Sequence, residues 1–469
     1  MRGDARPEAA APDAAPGTTV SPPAPAERGL WRHADFLRLW AAQAISAFGS
    51  RITRTALPII AVATLDETPL RVAMLAAMQL IPGVILAIAA GGFIDRSRKR
   101  RILIAADLIR AALVASLTVA WLFGALSLTQ VVVVGAGVGA ASALFEITDV
   151  AYLPALIGRR RLAEGNAKLE TTAAIAEITG PASAGVLIAA LGAPLAVAID
   201  AASYVWSAFM LGRIRAAERV SRKRPDTPLP SADELDAAVS VRTGEDFRIG
   251  LAAVFGHPLV RPIVLTLMVW SIAGGFFVAL YTLFCLRELG LSEATFGVII
   301  AMGGVGALAG AVVARGLARV LGVGRTLIVA SALSLVCTLF IPIAAYATSP
   351  ALRIGFLVAH QLLGDGFSVA FVILAVTLRQ TVLPRELLGR ANAAVHVCTA
   401  GVLPVAALIA GGLAALIGIR AAVWTGLLIG LLAPLLLWRL RHLADMPAGD
   451  LGASDPAMAR AELQPGPAS

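Results

Sequence analysis

From about residue 35 the chain falls into long apolar runs broken by short polar stretches. Twelve such runs predict spans near 36–64, 70–94, 102–124, 128–150, 168–191, 194–213, 259–285, 292–314, 326–346, 351–378, 391–417 and 420–440. Each run holds about 20 residues or more, which at ~1.5 Å rise per residue crosses the ~30 Å hydrocarbon core of a bilayer. The apolar positions go all the way round each run, without the polar stripe of a surface helix, so the helices face lipid or one another. The strict alternation of a membrane barrel strand is absent. The pattern therefore predicts an all-α membrane protein of twelve transmembrane helices.

The polar stretches set the organisation. The first 34 residues are rich in Ala and Pro and contain no apolar core of a signal peptide. They read as a disordered tail, and so do residues 443–469. The longest interruption, 214–250, carries mixed charge with Pro225, Pro228 and Pro230. It reads as a loop dividing a six-helix bundle at 35–213 from a second at 251–442. Within FRIGLAAVFGHPLVRP (247–262) two readings stand: an amphipathic helix lying at the membrane interface, or an early start to span seven.

Composition agrees with the pattern: 58% of residues are hydrophobic and only 15% charged. The net charge of +9 does not point to nucleic acid, because the bases sit in clusters between apolar runs. One set of loops holds Arg96 to Arg101, then Arg159, Arg160, Arg161 and Lys168, then Arg315, Arg319 and Arg325, then Arg379, Arg385 and Arg390. The opposite set holds Arg71, Arg287, Arg353 and Arg420, one per turn. The positive-inside rule makes the basic face cytoplasmic, with both termini there. Abundant Ala, Arg and Gly with little Lys suggest a GC-rich bacterium, and hence its inner membrane. Cys285, Cys337 and Cys398 are scattered within apolar segments, which favours small core residues over disulfides or a metal site.

An internal repeat is visible. With Asn166 set on Asn392, Leu162 meets Leu388, Gly185 meets Gly411 and Gly192 meets Gly418. A weaker match sets Gly91 on Gly310 and Arg96 on Arg315, leaving Asp95 opposite Ala314. Two related six-helix halves are the plan of a parallel-repeat transporter.

Between spans two and three lies GGFIDRSRKRRIL (91–103). It resembles the major facilitator superfamily signature G-x-x-x-D-R-x-G-R-R, with Gly91, Asp95, Arg96, Lys99 and Arg100 matching in position and charge. Arg98 stands where the pattern has Gly, as in the drug and siderophore exporter branch that includes macrolide efflux proteins and the enterobactin exporter. SAFGSRITRTALP (46–58) resembles that branch's first span, with Ser50 in place of its usual Asp. The resemblance covers about residues 31–442. It implies that Asp95 contacts the start of span eleven near Gly389–Asn392, where a helix N-terminus favours an anion. Such a contact would join the two halves on the cytoplasmic side. The alternative is that Asp95 only offsets its basic neighbours.

Charges inside the spans cost at least ~2.5–3.5 kcal/mol each on insertion scales, so each needs a partner or a purpose. Asp107 and Arg110 are three apart on span three and can pair. With Glu146, Asp149 and the basic loop they suggest a cytoplasmic charge network, structural and gating. Arg51 and Arg54 lie mid-span in span one, and Glu177, Asp200 and Asp365 lie in spans five, six and ten. The resemblance places spans one, four, seven and ten around a central cavity, which makes Arg51, Arg54, Glu177 and Asp365 candidate proton or substrate groups. A carboxylate in such a site can carry a proton, or it can sit in a permanent ion pair. His360 and His396 offer a relay or plain packing. Trp270, Phe276 and Phe277 offer an apolar pocket or a lipid-facing surface. GPASAG (180–185) resembles an antiporter motif, and equally suits close helix packing.

No nucleotide-binding loop, catalytic constellation or cofactor site appears, so the chain does not read as an enzyme. The expected partners are a small-molecule substrate, protons and the lipid bilayer. The leading reading is a proton-driven exporter of a small amphipathic compound by alternating access, with nutrient symport or a non-transporting receptor as alternatives.

Overall fold

A computed structural model describes residues 29–89, 94, 97–158, 161–216, 245 and 247–438. The described residues are helical, and twelve long helical elements occupy the twelve predicted spans. They are α1 (Ala34–Ile59, extended by a π-helix Ile60–Thr64), α2 (Pro69–Ala89), α3 (Lys99–Leu122), α4 (Leu128–Ile157), α5 (Leu162–Leu191) and α6 (Ala193–Gly212). The second six are α7 (Val260–Leu283, extended by a π-helix Phe284–Glu288), α8 (Glu293–Leu321), α9 (Val323–Thr338), α10 (Pro350–Ala359 and Asp365–Val382, joined by a π-helix His360–Gly364), α11 (Arg385–Ala400 and Val402–Ile417) and α12 (Ile419–Gly430 and Leu432–Leu437).

By length and composition, ten helices among the described residues can cross a membrane. The other two long elements, α1 and α5, are of similar length but carry more charge: Asp35, Arg38, Arg51 and Arg54 on one, Glu164, Lys168, Glu170 and Glu177 on the other. Several helices outrun their apolar cores. α4 continues through Glu146 and Asp149 to Ile157, and α8 continues through Arg315 and Arg319 to Leu321. Those two arginines are therefore helical and exposed rather than in a loop. Arg379, too, departs from its expected place in a loop. It lies in the last turn of α10, only 8% exposed. The helix-forming residues before it carry on past the apolar run, so the side chain is drawn into the bundle.

The segment before α7 resolves into two pieces. A short apolar helix, Phe247–Gly256, ends at a turn, and α7 starts afresh at Val260. Val254 packs with Val260, Val264, Leu383, Ala391 and Val395, and Gly250 abuts the Arg390 carbonyl. This helix thus braces the start of α11.

The repeat is legible in the backbone. Gly192 ends α5 with φ 80° and ψ 154°, and Gly418 ends α11 with φ 88° and ψ 157°. Each donates its amide to a carbonyl four residues back, Ile188 and Ala414, at 2.8 and 3.0 Å. Each then opens the next helix, and only glycine takes that left-handed turn without strain. The hairpins after α1 and α7 match as well. Both end in a π-helix, with Leu65 bonded to Ile60 and Leu289 to Phe284 at 3.0 Å each. Both turn through a positive φ, at Asp66 (50°) and Gly290 (67°). That correspondence sets the register of α2 on α8. It differs from the Gly91–Gly310 match, whose first half, with Arg96, lies outside the described residues.

Apolar packing divides the molecule by face. One buried cluster, including Ile52, Leu75, Ile188, Phe276, Phe296 and Ala410, draws on both halves. The clusters toward the basic face each stay within one half. Phe36, Leu103, Phe145 and Leu211 form one, and Ile263, Leu327, Phe371 and Leu437 form another.

Candidate functional site

The halves meet at the face opposite the basic loops. Gly185 on α5 lies against Gly297 on α8, where a Cβ would come 2.5 Å from the facing Cα. Gly411 on α11 lies against Ala73, with Leu70 Cα and the Pro69 carbonyl both 3.1 Å from where its Cβ would stand. The two crossings are related by the repeat that pairs Gly185 with Gly411. Small residues at such crossings let backbones touch and gain dispersion contact without interposed side chains.

Charge reinforces the same face. Arg287, in the π-helix after α7, reaches across to Asp66 at 2.6 Å and to the Val62 carbonyl at 3.3 Å. Asp66 is a non-glycine residue at positive φ where the other hairpin has Gly290. Asp tolerates that region better than most residues. Beside it, Arg420 bonds Glu288 at 2.6 Å and Arg353 bonds the Leu289 carbonyl at 3.2 Å. The sequence reading treated Arg287 as a solitary outer base, because nothing in the sequence brings the two hairpins together. Asp66 is 93% exposed, so its pair with Arg287 is worth about 0–1 kcal/mol. We expect Asp66→Ala to raise the opening of this face by no more than about fivefold. Disulfide trapping between cysteines placed in the two hairpins measures this. Exchange of the two charges should restore wild-type trapping, and raised salt should mimic Asp66→Ala.

Within the first half the charges fall into pairs. Arg51 on α1 is ion-paired with Glu177 on α5 and lies against Gly180. Its Nε is buried without a partner. Glu177 is 61% exposed and Arg51 18%. Arg54 is exposed with no ion pair among the described residues, so only one of the two cations is matched. Glu146 is exposed on α4 within electrostatic reach of Arg51. Asp149, one turn on, accepts from Gln43 of α1 at 2.5 Å.

Deeper, Asp107 and Arg110 are ion-paired and almost wholly buried. The Arg110 guanidinium lies 4.6 Å from the Phe145 ring and 4.4 Å from the Tyr204 ring. It also donates to Ser142 at 3.3 Å. Asp200 is fully buried and accepts from Thr53 and, at 2.9 Å, from Ser203. Of the network expected to join Asp107, Arg110, Glu146, Asp149 and the basic loop, Asp107 and Arg110 are bonded to each other and Arg110 lies within electrostatic reach of Asp200. Aromatic rings flank Arg110, while Glu146 is exposed within electrostatic reach of Asp149 and Arg51. Of the signature, Arg100 donates to the carbonyls ending α6, to Leu211 at 2.8 Å and to Gly212, and Lys99 begins α3. Arg100 therefore caps a helix C-terminus, where a cation is favoured. Gly91, Asp95 and Arg96 lie outside the described residues.

In the second half Asp365 begins the lower part of α10, directly after the π-helix. It lines a cavity of ≈ 250 Å³ with Trp270, Phe277, Thr338, His360 and Ser368 among its walls. All the walls come from α7, α9, α10 and α12, so the cavity lies inside this half. The sequence reading had put Asp365 in a cavity between the halves, together with Arg51 or Arg54. Gly303 of α8 makes room for the carboxylate: a Cβ there would lie 2.5 Å from Oδ2. His360 Nδ1 donates to the Cys337 carbonyl at 3.2 Å. Of the span-seven aromatics, Trp270 and Phe277 face this cavity, whereas Phe276 is buried against Gly426. His396 is exposed on α11. No group of three His, Cys, Asp or Glu side chains among the described residues is arranged to hold a metal ion.

The family model of the major facilitator group described as transmembrane secretion effector matches residues 26–465. The chain belongs to this family. Solved structures agree on the fold of this major facilitator transporter. A bacterial homologue of the iron transporter ferroportin in its inward-facing state is 17% identical, with a TM-score of 0.67 over 89% of this chain and 100% of the other. The outward-facing state of a bacterial ferroportin homologue gives 0.52 at 17% identity, over 87% and 99%. A bacterial homologue of the human lysosomal transporter Spinster, inward-facing and unoccupied, gives 0.62 at 12% identity, over 89% and 100%. No curated protein matches the transporter in sequence.

Proposed function

We propose that this transporter is a secondary active exporter that carries a small amphipathic compound out of the cytoplasm by alternating access, with protons moving inward. The observation that supports alternating access is the asymmetry of the inter-half contacts. Glycine crossings, a shared apolar cluster and Arg287–Asp66 close one face. Toward the other face, the apolar clusters stay within their own halves. Rocking the halves about such a one-sided junction exposes a central site first to one side and then to the other. In this reading the basic face is cytoplasmic and the described conformer is open to the cytoplasm. Asp95 would make the contact that closes that face in the opposite conformer.

The ion pair Arg51–Glu177 is our candidate for proton coupling in the first half. Glu177 is the exposed partner, and loss of its negative charge would release the Arg51 guanidinium, whose Nε is already unsatisfied. The test is transport into inside-out membrane vesicles, using macrolides, cationic dyes and catecholate siderophores, with and without a proton gradient. Uptake that needs the gradient, and that loses this dependence in Glu177→Gln, is the expected result. Accumulation only in right-side-out vesicles under an inward proton gradient would instead establish symport. Absence of flux with any compound in either orientation would overturn the exporter reading.

A further inference from the structure

We propose that the cavity around Asp365 is a binding site for an organic ammonium group, which names the class of substrate for the transport reading above and rests on that reading for its role. Asp365 makes no hydrogen bond or ion pair among the described residues. The residues that line its cavity include no Lys or Arg. A carboxylate at mid-span without a donor or a counter-charge is costly to keep. Its charge must therefore be neutralised from outside the chain, by a proton or by a bound cation.

The walls say what kind of cation fits. Trp270 and Phe277 are aromatic, and the negative face of a ring attracts an ammonium, most strongly where water is excluded. Trp270 is held in place against Phe371, ring centroids 4.7 Å apart. Ser334, Thr338 and Ser368 add hydroxyl oxygens able to accept from N–H groups. His360 has its Nδ1 proton committed to the Cys337 carbonyl, which leaves Nε2 as a further acceptor in the neutral ring. A metal ion is a poorer match, since only one carboxylate and one imidazole are present. At ≈ 250 Å³ the cavity falls just below the ~300–1,000 Å³ of sites for whole drug-sized ligands. It suits the charged head of an amphipathic amine, with the rest of the molecule outside.

Local backbone supports a built site. The π-helix His360–Gly364 directly precedes Asp365, and such bulges re-aim side chains at functional positions. Gly303 and Gly366 let α8 and α10 approach around the carboxylate.

The experiment is calorimetric titration of the full-length transporter in nanodiscs with benzyltrimethylammonium, and with its uncharged tert-butyl analogue. Wild type should bind the cation saturably, at least tenfold more tightly than the analogue. Asp365→Asn should lose that tenfold preference, and Trp270→Leu should weaken the cation several-fold. Asp365→Glu, which keeps the charge, should retain the preference, which separates lost binding from lost folding. Equal affinity of wild type and Asp365→Asn for the cation would overturn the proposal, as would absence of binding or equal binding of the uncharged analogue. Because binding is read without transport, intact binding in a chain that moves nothing would sink the exporter reading and leave this site standing.

Discussion

Gly185→Leu combined with Gly411→Leu should hold the face opposite the basic loops open and abolish transport. At Gly185 even the first added carbon meets backbone, 2.5 Å from the Gly297 Cα, and backbone has no rotamer with which to yield. At Gly411 the first carbon meets Ala73 and the backbone of Leu70 and Pro69. Overpacking costs about 1–3 kcal/mol per site, with backbone clashes at the upper end. The sites lie in different helix pairs, so their costs should nearly add. The sum approaches the ~5.5 kcal/mol that carries a two-state equilibrium from 99:1 to 1:99. The conformer with the basic face open depends on both crossings. The opposite conformer, in which they separate, should tolerate the leucines. Spin labels at the ends of α5 and α8 on the face opposite the basic loops should show one long distance in the double variant, while the protein remains folded and monodisperse. A short distance with normal flux would show that the crossings are not the pivot. Each single variant should give a mixture.

The crossings also show what the sequence could and could not disclose. The helical elements were legible because bilayer thickness imposes a run length, which length and composition meet in ten of the twelve. The repeat was legible through Gly192 and Gly418, since a helix stop at positive φ demands one residue type. The Gly185–Gly411 correspondence was visible too, but not its meaning, because a small residue reads alike against lipid, its own bundle or the opposite half. Charges followed the same division. The Asp107–Arg110 pair is local, three residues apart, and was readable from spacing alone. Arg51 with Glu177 and Arg287 with Asp66 join residues far apart in the chain, so the sequence supplied the members without the pairing. Asp365 was legible as a carboxylate within an apolar run, but the cavity it lines was not. Only the packing of α7, α9, α10 and α12 reveals that its pocket lies inside one half.

The Asp107–Arg110 pair carries the second large expected effect, this time on stability. Both side chains are sealed in the first half, with Asp107 0% exposed and Arg110 4%. Asp107→Ala leaves a guanidinium between the Phe145 and Tyr204 rings with no carboxylate, and Arg110→Met leaves a carboxylate with no cation. Removing one partner of a buried pair costs about 3–5 kcal/mol, a large part of the ~5–15 kcal/mol that keeps a typical domain folded. Either single variant should therefore give a sharply lower thermal midpoint in detergent and little monodisperse protein. The double variant Asp107→Leu with Arg110→Met should recover part of the loss, because similar apolar volume replaces the pair, while Asp200, buried within electrostatic reach of Arg110, loses that cation. It also removes Asp107 Oδ2 and Arg110 Nε, buried atoms that lack partners in the wild type. If Asp107→Ala melts with the wild type, the pair is not a structural element of this bundle. If the double variant is stable but transports nothing, the pair acts in the transport cycle beyond holding the bundle together. The same measurement thus separates the structural and gating roles that spacing alone left joined.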